Sequence, residues 1–392
     1  MKGRMIREGL FWVGAIDWHR RLFDSLIPLP DGTSYNAYLI VGKEKTALVD
    51  AVDPSMVEVL FSHLDGVQKI DFIIVQHAEQ DHSGTLPAVL EKYPHAKVLA
   101  TPKGKELLST HLLIPEEKVA AVEDGEALSL GGKTLKFIHT PWVHWPDTMV
   151  TCLVEDNILL TCDLFGSHLA TANLYAGPEE ARVLEAAKRY YAEIMMPLHI
   201  MVKKNLEKLA GYKPALIAPS HGPIYDQPER IVKAYHEWVV GDLENKVVLP
   251  FVSMHDSTRR MVDYLVAALL ERNIGVEPFD LPTTDIGKLA TALVDAATLV
   301  LGTPTVLGGP HPSIASAAYL INALKPRIKY LSIIGSYGWG GKAVEELTGL
   351  VAGLKAELLP PVYCKGIPRQ EDLALLDDLA GAIAEKHKTL RE

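Results

Sequence analysis

The densest group of metal-binding side chains in this sequence lies in six consecutive residues, His77-Ala78-Glu79-Gln80-Asp81-His82. They follow the apolar run Phe72–Gln76, which has the composition of a buried strand. A single loop histidine is usually solvated or hydrogen-bonded, but carboxylates crowded onto one loop are costly to bury without a cation. A strand end followed by a tight loop can turn alternate side chains toward one cavity, so we expect this segment to bind metal.

Three more candidate ligands follow turns farther along the chain: His144, Asp163 and His221. Glu79, Asp81 and Asp163 are anionic and the histidines are neutral, so seven ligands would overmatch a single divalent ion. Two ions leave a net charge of about +1 and give each metal four ligands if Asp163 bridges them. Open coordination positions remain, which suits catalysis, and mixed oxygen and nitrogen ligands suit iron or manganese as well as zinc.

A second group of candidate functional residues lies in three loops of the C-terminal part, each after a run that reads as a strand. A strand-to-helix turn can bind an anion through hydroxyls and backbone N–H groups, although a plain helix cap is the simpler interpretation of the first loop alone. Small residues let the backbone approach a flat ring, and aromatic side chains can stack on it. No GxGxxG motif follows a strand, so a mononucleotide is favoured over a dinucleotide. The expected cofactor-binding residues are Ser253, Met254, His255, Asp256, Ser257, Thr258, Thr303, Pro304, Thr305, Val306, Leu307, Ser336, Tyr337, Gly338, Trp339 and Gly340.

The elements that must position these residues change character near residue 245. Before it, short β-rich runs alternate with helical patterns, which predicts two sheets flanked by helices. Leu10–Ile16 is expected to form one strand and Pro178–Met195 one helix. After it, strands and helices alternate strictly, which predicts a doubly wound parallel sheet of about five strands. The polar stretch Gly241–Lys246 separates the two patterns, so we predict domains at residues 1–245 and 246–392.

Composition narrows the function classes further. The 392 residues exceed a single core, and the net charge of −10 makes a general binder of nucleic-acid backbones unexpected. No apolar run reaches the ~18 residues of a membrane span, and charged residues interrupt the N-terminal apolar residues, so neither a membrane segment nor a secretory signal is expected. The cysteines Cys152, Cys162 and Cys364 show no CxxC spacing, which favours a reducing cytoplasm and excludes an appended four-cysteine iron module.

The spacing of the seven candidate ligands resembles that of the flavodiiron proteins. In this sequence 61 residues separate His82 from His144, 18 separate His144 from Asp163, and 57 separate Asp163 from His221. Related zinc hydrolases of the same fold usually carry histidine where this chain has Glu79, and a carboxylate there makes a harder, more anionic site that suits iron. By resemblance, iron one would be bound by His77, Glu79, His144 and Asp163, and iron two by Asp81, His82, Asp163 and His221.

The resemblance covers essentially the whole chain and implies an α/β protein with two domains. The first would be an N-terminal αββα metallo-β-lactamase-like sandwich that holds the iron pair. The second would be a flavodoxin-like, doubly wound, five-stranded parallel sheet that binds FMN, with the 253–258 turn on its phosphate and the other two loops beside the isoalloxazine. The implied activity is reduction of O₂ to water, of NO to N₂O, or of both, with electrons relayed through FMN.

Partners are implied by the resemblance as well. Electrons would come from a separate rubredoxin-like protein or from the reduced deazaflavin F420H₂. The family's working unit implies a head-to-tail homodimer, or a dimer of such dimers, in which the FMN of one subunit faces the irons of the other. Two residues are candidates for contacts near the bound gas. Tyr191 comes from a stretch that resembles the family's YYAxIMMP segment, and its alternative role is packing in the core. The other is His168, whose alternative is a position on the surface.

Other function classes remain open at this stage. A zinc-dependent hydrolase of the metallo-β-lactamase fold, fused to a flavodoxin domain, would use the same ligand cluster, but Glu79 and a flavin that hydrolysis does not need weigh against it. A pure electron carrier would use FMN alone, and seven intact ligand positions weigh against that. A sensor with the same cofactors is a weaker alternative because no output domain is evident. Metal content separates the first alternative from a reductase, since two zinc ions and no iron would favour the hydrolase.

Overall fold

The computed structural model describes residues 2–391. In it the chain separates into two compact units: the first reaches Tyr191 and resumes over Leu198–Val239, and the second consists of Ala192–Pro197 and the chain from Val240 onward. The predicted division after residue 245 stays a prediction. Met1 and Glu392, the outer ends of the two predicted domains, lie outside the described residues.

The first unit contains the short β-rich runs of the sequence. Its strands, in chain order, are β1 Arg4–Arg7, β2 Leu10–Trp12, β3 Ala15–Asp17, β4 Leu22–Phe23, β5 Ile27–Pro28, β6 Thr33–Tyr35, β7 Tyr38–Val41, β8 Thr46–Val49, β9 Phe72–Ile74, β10 Lys97–Ala100, β11 Val119–Ala121, β12 Ala127–Ser129, β13 Thr134–His139, β14 Met149–Leu153, β15 Ile158–Cys162 and β16 Leu216–Pro219. Its helices are α1 Val57–His63, α2 Gln80–Ser83, α3 Leu86–Lys92, α4 Pro102–Leu112, α5 Glu180–Tyr190, α6 His199–Leu209 and α7 Pro228–Val240. Local sequence explains such starts: at α4 a proline follows Thr101, whose hydroxyl accepts the N–H of Gly104 at 3.0 Å.

Two large sheets stack face to face in the described part of this unit. The first has the strand order β1-β2-β7-β8-β9-β10-β11 and the second β12-β13-β14-β15-β16. Side chains alternate along β8: Leu48 belongs to the core beneath α1 and α4, with Leu60 and Leu108. Val49 belongs to the core between the sheets, with Phe137 of β13. Both faces of β14 and β15 are buried, and the predicted αββα sandwich is confirmed.

One predicted strand of this unit is wrong. Leu10–Ile16 does not run as a single strand, because β2 ends at Trp12 and β3, which begins at Ala15, pairs with β6 in a separate sheet. Between them lies Gly14, where an added Cβ would lie 2.2 Å from the carbonyl oxygen of Tyr35. The chain therefore leaves the first sheet at a glycine, whose missing side chain lets the two backbones lie close together.

The predicted helix Pro178–Met195 is also wrong in its extent. The α-helix ends at Tyr190, a π-helical turn follows over Tyr191–Met195, and a 3-10 turn covers Met196–Leu198. The proline at position 197 has no N–H with which to continue an α-helix. A π turn contains more residues than an α turn, so side chains after Tyr190 lose the α-helical spacing.

The second unit alternates strands and helices. Its strands are β17 Glu244–Phe251, β18 Gly275–Asp280, β19 Ala296–Val306, β20 Gly309–Pro310, β21 Tyr330–Tyr337, β22 Glu357–Leu358 and β23 Val362–Lys365. Its helices are α8 Ser257–Glu271, α9 Ile286–Ala292, α10 Pro312–Leu324, α11 Ala343–Leu350 and α12 Gln370–Lys388. None of the helices found over residues 2–391 has the length and apolar character needed to cross a membrane.

The strands of this unit form a parallel sheet in the order β18-β17-β19-β21, with β22 and β23 sharing the next position beside β21. This is the flavodoxin-like strand order. Leu249 faces a core shared with Leu265 of α8, whereas Val248 faces a second core shared with Ile314 of α10, so helices cover both faces. The predicted five-stranded, doubly wound arrangement is confirmed in the described residues, with its fifth position divided around Pro360-Pro361.

Candidate metal centre and cofactor cavity

The metal-binding segment joins strand β9 to helix α2. The loop after β9 carries His77 and Glu79, and α2 carries Asp81 and His82. The Ser83 hydroxyl, also in α2, donates to a carbonyl oxygen of the loop at 2.8 Å and ties the two together. Four potential ligands therefore fall within one loop and one helical turn.

A first group of ligand atoms comes from His77, Glu79, His144 and Asp163, all within 4.8 Å of one another. Glu79 Oε2 lies 3.0 Å from both His77 Nε2 and His144 Nε2. Asp163 Oδ2 lies 3.5 Å from His144 Nε2 and 3.7 Å from His77 Nε2. Side chains from three distant parts of the sequence thus converge on one point.

A second group of ligand atoms comes from Asp81, His82 and His221, also within 4.8 Å of one another. His221 Nε2 lies 3.1 Å from Asp81 Oδ2. Asp163 Oδ1, the oxygen that faces away from the first group, lies 3.0 Å from His82 Nε2 and 3.4 Å from His221 Nε2. Asp163 therefore presents one oxygen to each group, the arrangement that a bridging ligand requires.

The donor atoms fit two divalent ions. Among the described residues, both carboxylate oxygens of Asp81 and Asp163 and both ring nitrogens of His82 are buried and make no hydrogen bond, because the short contacts between these groups lack hydrogen-bond angles. Leaving such groups unpaired is costly, and a cation would satisfy them. Ligands that stand about 2.1 Å from a shared ion at right angles lie about 3.0 Å apart, which matches the shortest spacings in both groups.

The pKa values of the candidate ligands also show that this site favours positive charge. Burial alone would lower the pKa of His144, but the carboxylates of Asp163 and Glu79 outweigh it and raise the pKa to about 9. Burial would likewise lower the pKa of His221, but the carboxylates of Asp163 and Asp81 outweigh it and raise that pKa to about 10. Burial raises the pKa of Glu79, but the two histidines that contact it hold that pKa below its usual range.

Two buried carboxylates that the sequence analysis missed support the ligand loop. Asp147 accepts a hydrogen bond from His77 Nδ1 at 3.1 Å and another, at 2.7 Å, from the next backbone N–H in the chain. Asp50 accepts the backbone N–H of Gln76 at 2.8 Å and its side-chain amide at 2.9 Å, and burial raises the pKa of Asp50 to about 6. An acidic residue three positions after His144, in a Trp-Pro-Asp turn, was the available sequence signal.

The two adjacent tyrosines have different surroundings. The ring of Tyr191 packs against those of Tyr235 and Trp238, with centroids 5.6 and 5.8 Å away, and its hydroxyl lies 3.5 Å from the Trp238 carbonyl oxygen. The ring of Tyr190 lies 5.7 Å from that of His221. Tyr190, one position before the π turn, therefore lies beside a candidate metal ligand, and the role predicted for Tyr191 stays a prediction.

His168 lies beside the ligand cluster. Its ring centroid is 4.8 Å from those of His221 and Tyr190, and its Nδ1 lies 2.9 Å from Thr33 Oγ1. Its Nε2 is buried and makes no hydrogen bond among residues 2–391. Burial, followed by the nearby charge of His221, holds the pKa of His168 well below its ordinary value.

In the second unit, the three predicted loops surround a cavity of about 450 Å³. The first follows β17, whereas residues 303–306 and 336–337 are the last residues of strands β19 and β21, and only the residues after them form loops. The carboxyl ends of parallel strands are where open α/β sheets bind ligands. The cavity is lined by Ser253, Met254, His255, Ser257, Thr258, Pro304, Thr305, Leu307, Gly308, Ser336, Tyr337, Gly338, Trp339, Gly340 and Gly366.

Three of the predicted cofactor residues lie outside this lining. The Asp256 side chain is 75% exposed and lies 3.8 Å from an arginine. The Thr303 hydroxyl is buried and donates to the next carbonyl oxygen at 2.9 Å, and Val306 pairs with Gly309 in a short hairpin. Conversely, sequence reasoning missed two lining glycines, Gly308 and Gly366, of which the latter follows strand β23.

The cavity has an anion-binding end. Thr258, in the first turn of α8, has a buried hydroxyl oxygen that makes no hydrogen bond among the described residues. The Ser253 hydroxyl oxygen accepts the backbone N–H of Arg259 at 3.2 Å, which draws the loop over the helix N-terminus. The first turn of a helix, the positive end of its dipole and an unsatisfied hydroxyl together suit a phosphate.

The opposite end of the cavity is aromatic and open. The Tyr337 ring lies parallel to that of Tyr363, with centroids 6.0 Å apart and planes 4° apart. Trp339 is 97% exposed, and Leu307 is exposed as well. A flat ring would therefore meet aromatic and apolar surface in a cavity whose rim is unusually apolar for exposed loops.

Comparison with known proteins places the chain among redox enzymes. Residues 33–222 match the model described as ODP family beta lactamase. The chain is 35% identical to the nitric oxide reductase of Moorella thermoacetica, covering 97% of this chain and 98% of that protein. It is 32% identical to the coenzyme F420H(2) oxidase of Methanothermobacter marburgensis, covering 92% of each.

Solved structures agree over the whole length. The rubredoxin oxygen:oxidoreductase from Desulfovibrio gigas superposes with a TM-score of 0.95 at 32% identity, covering 99% of both chains. The flavodiiron protein from Giardia intestinalis superposes with a TM-score of 0.93 at 26% identity, covering 100% of this chain and 98% of that one. Fold and sites thus define an oxidoreductase that joins a metallo-β-lactamase-like unit to a flavodoxin-like unit. More specifically, the chain belongs to the flavodiiron protein family.

Proposed function

We propose that this protein reduces O₂ to water, NO to N₂O, or both, at a pair of iron ions supplied with electrons through FMN. The observation that carries the proposal is the two-sided position of Asp163, which joins two groups of buried ligands. The relatives named as a nitric oxide reductase and a rubredoxin oxygen:oxidoreductase support it. These names also favour a reductase over the zinc hydrolase.

The proposal assigns a cofactor to each predicted domain. Residues 1–245 would hold the iron pair and residues 246–392 the FMN. The expected ligands are His77, Glu79, His144 and Asp163 for iron one, and Asp81, His82, Asp163 and His221 for iron two. Glu79 adds an anionic oxygen to the first group, which suits iron.

The bound cofactors would supply the redox chemistry, since FMN stores two electrons and an iron pair two more. Reduction of O₂ to water needs four electrons, and reduction of two NO molecules to N₂O needs two. The chain itself must supply protons in the same numbers. The Tyr190 hydroxyl is suited to donate one, because Tyr190 lies beside His221. His168, held at Nδ1 by Thr33, offers Nε2 as a hydrogen-bond partner for a bound gas.

The flavin would sit with its phosphate at the start of α8. The Thr258 hydroxyl and the N–H groups of the first helical turn are suited to bind that phosphate. Backbone at Ser336 and Gly338 would approach the ring closely, and Trp339 would cover it from the exposed rim. These roles explain why small and aromatic residues alternate in the loop after β21.

The electron donor is an external partner in this proposal. Relatives named as a rubredoxin-oxygen oxidoreductase and a coenzyme F420H(2) oxidase support a rubredoxin-like protein or F420H₂ as donor. The three cysteines in the described residues are unpaired and buried, and we propose a cytoplasmic location, where thiols stay reduced. The exposed apolar rim of the flavin cavity supports a head-to-tail homodimer, or a dimer of such dimers, as the working unit.

Steady-state assays test the proposal. Protein purified from iron-replete cells is expected to contain two iron ions and one FMN per chain and to consume O₂ or NO with either donor. Comparing both gases with both donors then defines the specificity. Two zinc ions, no iron and hydrolytic turnover would favour the hydrolase instead, and FMN without bound metal would favour the electron carrier.

A further inference from the structure

Asp147 contacts a proposed metal ligand at the ring nitrogen that does not face the metal centre. His77 and Asp147 are 0% and 2% exposed, and the His77 Nδ1–Asp147 Oδ1 distance is 3.1 Å. An ionised carboxylate can only accept a hydrogen bond, so Nδ1 must carry the proton. The lone pair of His77 is then on Nε2, which lies 3.0 Å from Glu79 Oε2 inside the first ligand group.

We propose that Asp147 is a positioning residue that fixes the protonated nitrogen of His77 and makes the metal position of His77, Glu79 and His144 the more tightly held of the two. The inference rests on the proposed metal centre and goes beyond it, because it ranks the two positions and assigns the cause. Its basis is a difference in what stands behind each ligand histidine.

At the second metal position, no carboxylate among the described residues is hydrogen-bonded to the outer ring nitrogen of His82 or His221. His221 Nδ1 donates to the neutral carbonyl oxygen of Ser34 at 2.7 Å. His82 Nδ1 is buried and makes no hydrogen bond. Asp50, the other buried carboxylate nearby, interacts with His82 through charge, but its hydrogen bonds go to the main chain and side chain of Gln76.

Hydrogen bonding and ring orientation favour the first position. Each position has one carboxylate of its own, Glu79 or Asp81, and both share Asp163. Among the described residues, only the first has a further carboxylate, that of Asp147, hydrogen-bonded to a ligand histidine. A carboxylate behind a ligand histidine raises the basicity of that ligand and locks its ring, and losing such a partner typically costs 10–100-fold in metal affinity. The same carboxylate also accepts the Ala78 N–H at 2.7 Å, which fixes the loop that carries the ligands.

An amide in place of the carboxylate cannot serve both donors. In Asp147→Asn one oxygen remains as acceptor, and the NH₂ group must face either the Ala78 N–H or His77 Nδ1. If it faces His77, the ring can accept at Nδ1 only by carrying its proton on Nε2, the atom needed for the metal. If it faces Ala78, two donors clash and the loop shifts. Either way the first position weakens, and the second keeps its ligands.

The test follows loss of Fe²⁺ from the iron-loaded full-length protein to an excess of chelator under anaerobic conditions. The wild type is expected to release two ions in two phases, the slow phase from the first position. In Asp147→Asn the slow phase is expected to become 10–100-fold faster, with the fast phase unchanged. Asp147→Glu, which keeps two acceptor oxygens, is expected to restore much of the slow phase. If Asp147→Asn does not fold, as judged by circular dichroism, Asp147→Ser replaces it.

Thr101→Val is the matched control for a merely structural effect. The Thr101 hydroxyl donates to the backbone carbonyl of Asp147 at 2.9 Å and caps α4, so its loss loosens the same turn without touching the carboxylate. This variant is expected to melt at a lower temperature with both release phases unchanged. Equal acceleration in Thr101→Val and Asp147→Asn, or wild-type release from Asp147→Asn, would overturn the inference. A wild-type chain that takes up no iron would instead overturn the proposed function and the inference with it.

Discussion

Tyr190 and Tyr191 are neighbours in the chain with different surroundings, which makes them a matched pair for mutation. Tyr190 lies beside His221, whereas Tyr191 packs against Tyr235 and Trp238. If the Tyr190 hydroxyl gives a proton or a hydrogen bond to the bound gas, Tyr190→Phe should lower kcat by about 10-fold or more with iron and FMN content unchanged. Rapid-mixing assays of gas consumption measure this.

Tyr191→Phe supplies the control for that prediction. It removes a hydroxyl 3.5 Å from the Trp238 carbonyl oxygen, on a ring that packs against Tyr235 and Trp238, so turnover should stay within about twofold of the wild type. Equal losses of kcat in both variants would show that the tyrosines act only through packing. A larger loss of kcat in Tyr191→Phe than in Tyr190→Phe would support the role predicted for Tyr191.

At the scale of single residues, the candidate ligands could be predicted from the sequence, but the residues that hydrogen-bond to them could not. His77, Glu79, Asp81 and His82 were predictable because carboxylates and imidazoles in one loop need a cation. Asp147 was not, because a hydrogen bond to His77 across 70 positions is a product of the fold. Choosing between Tyr190 and Tyr191 is difficult for a related reason, since one residue along a helix changes the direction of a side chain by about 100°.

Among the elements, the N-terminus of α8 makes the most direct prediction. Thr258→Val keeps the shape of the side chain but removes the buried hydroxyl that suits the FMN phosphate. We expect the Kd for FMN to rise by about 10-fold, because one hydrogen bond to a charged group is lost. Quenching of flavin fluorescence during titration of flavin-free protein measures the change.

Thr348→Val is the control for that substitution. Thr348 lies in α11, and its hydroxyl donates to the Val344 carbonyl oxygen at 2.8 Å, a helical contact outside the cavity. Its removal should leave the Kd for FMN unchanged. Unchanged binding in Thr258→Val as well would argue that the phosphate binds elsewhere in the cavity.

Helix α12 carries a pH-dependent contribution to stability. His387 is buried, its Nε2 lies 2.7 Å from Thr298 Oγ1 and its Nδ1 2.7 Å from Asn245 Oδ1, and burial lowers its pKa from 6.5 to about 4. Between these values the unfolded chain binds more protons than the folded one, so stability falls as the pH falls from about 6.5 toward 4 and is fully present above that window. The loss should amount to about 1–3 kcal/mol.

Denaturant titrations at pH 7.5 and pH 5 measure this effect in the wild type and in His387→Gln. The variant should be less stable at pH 7.5 and should lose less stability on going to pH 5. An equal pH dependence in both proteins would assign the effect to other groups.

The helices and strands could be predicted where the pattern of apolar residues agreed with the Gly- and Pro-rich turns between them. The alternation after residue 245 gave the doubly wound sheet, and the apolar run before His77 gave β9. The strand over Leu10–Ile16 failed at Gly14, whose close contact with Tyr35 depends on a strand that comes later in the chain. The π turn after Tyr190 left no clear mark in the apolar pattern, apart from Pro197 beyond its end.

For the whole molecule, the exposed rim of the cofactor cavity predicts dependence on a second copy. Trp339→Glu should shift the proposed dimer toward monomer and slow electron transfer from FMN to the irons, because it places a charge in an apolar rim. Tyr319→Glu, at another exposed aromatic residue of the same unit, should change neither property. Sedimentation equilibrium measures the association. A monomer with full activity would contradict the dimer.

The central claim is that one chain couples a flavin to an iron pair for reduction of a small gas. Anaerobic titration of the fully reduced, iron-loaded protein with O₂ or NO tests it most directly. We expect FMN and iron to be oxidised together. About one O₂ should be consumed for every four electrons removed, with release of water and no hydrogen peroxide, or about two NO for every two electrons removed, with release of N₂O. Asp163→Asn, which loses the shared carboxylate, should not be reoxidised in this way. Failure of both gases to reoxidise the reduced wild-type protein would contradict the account.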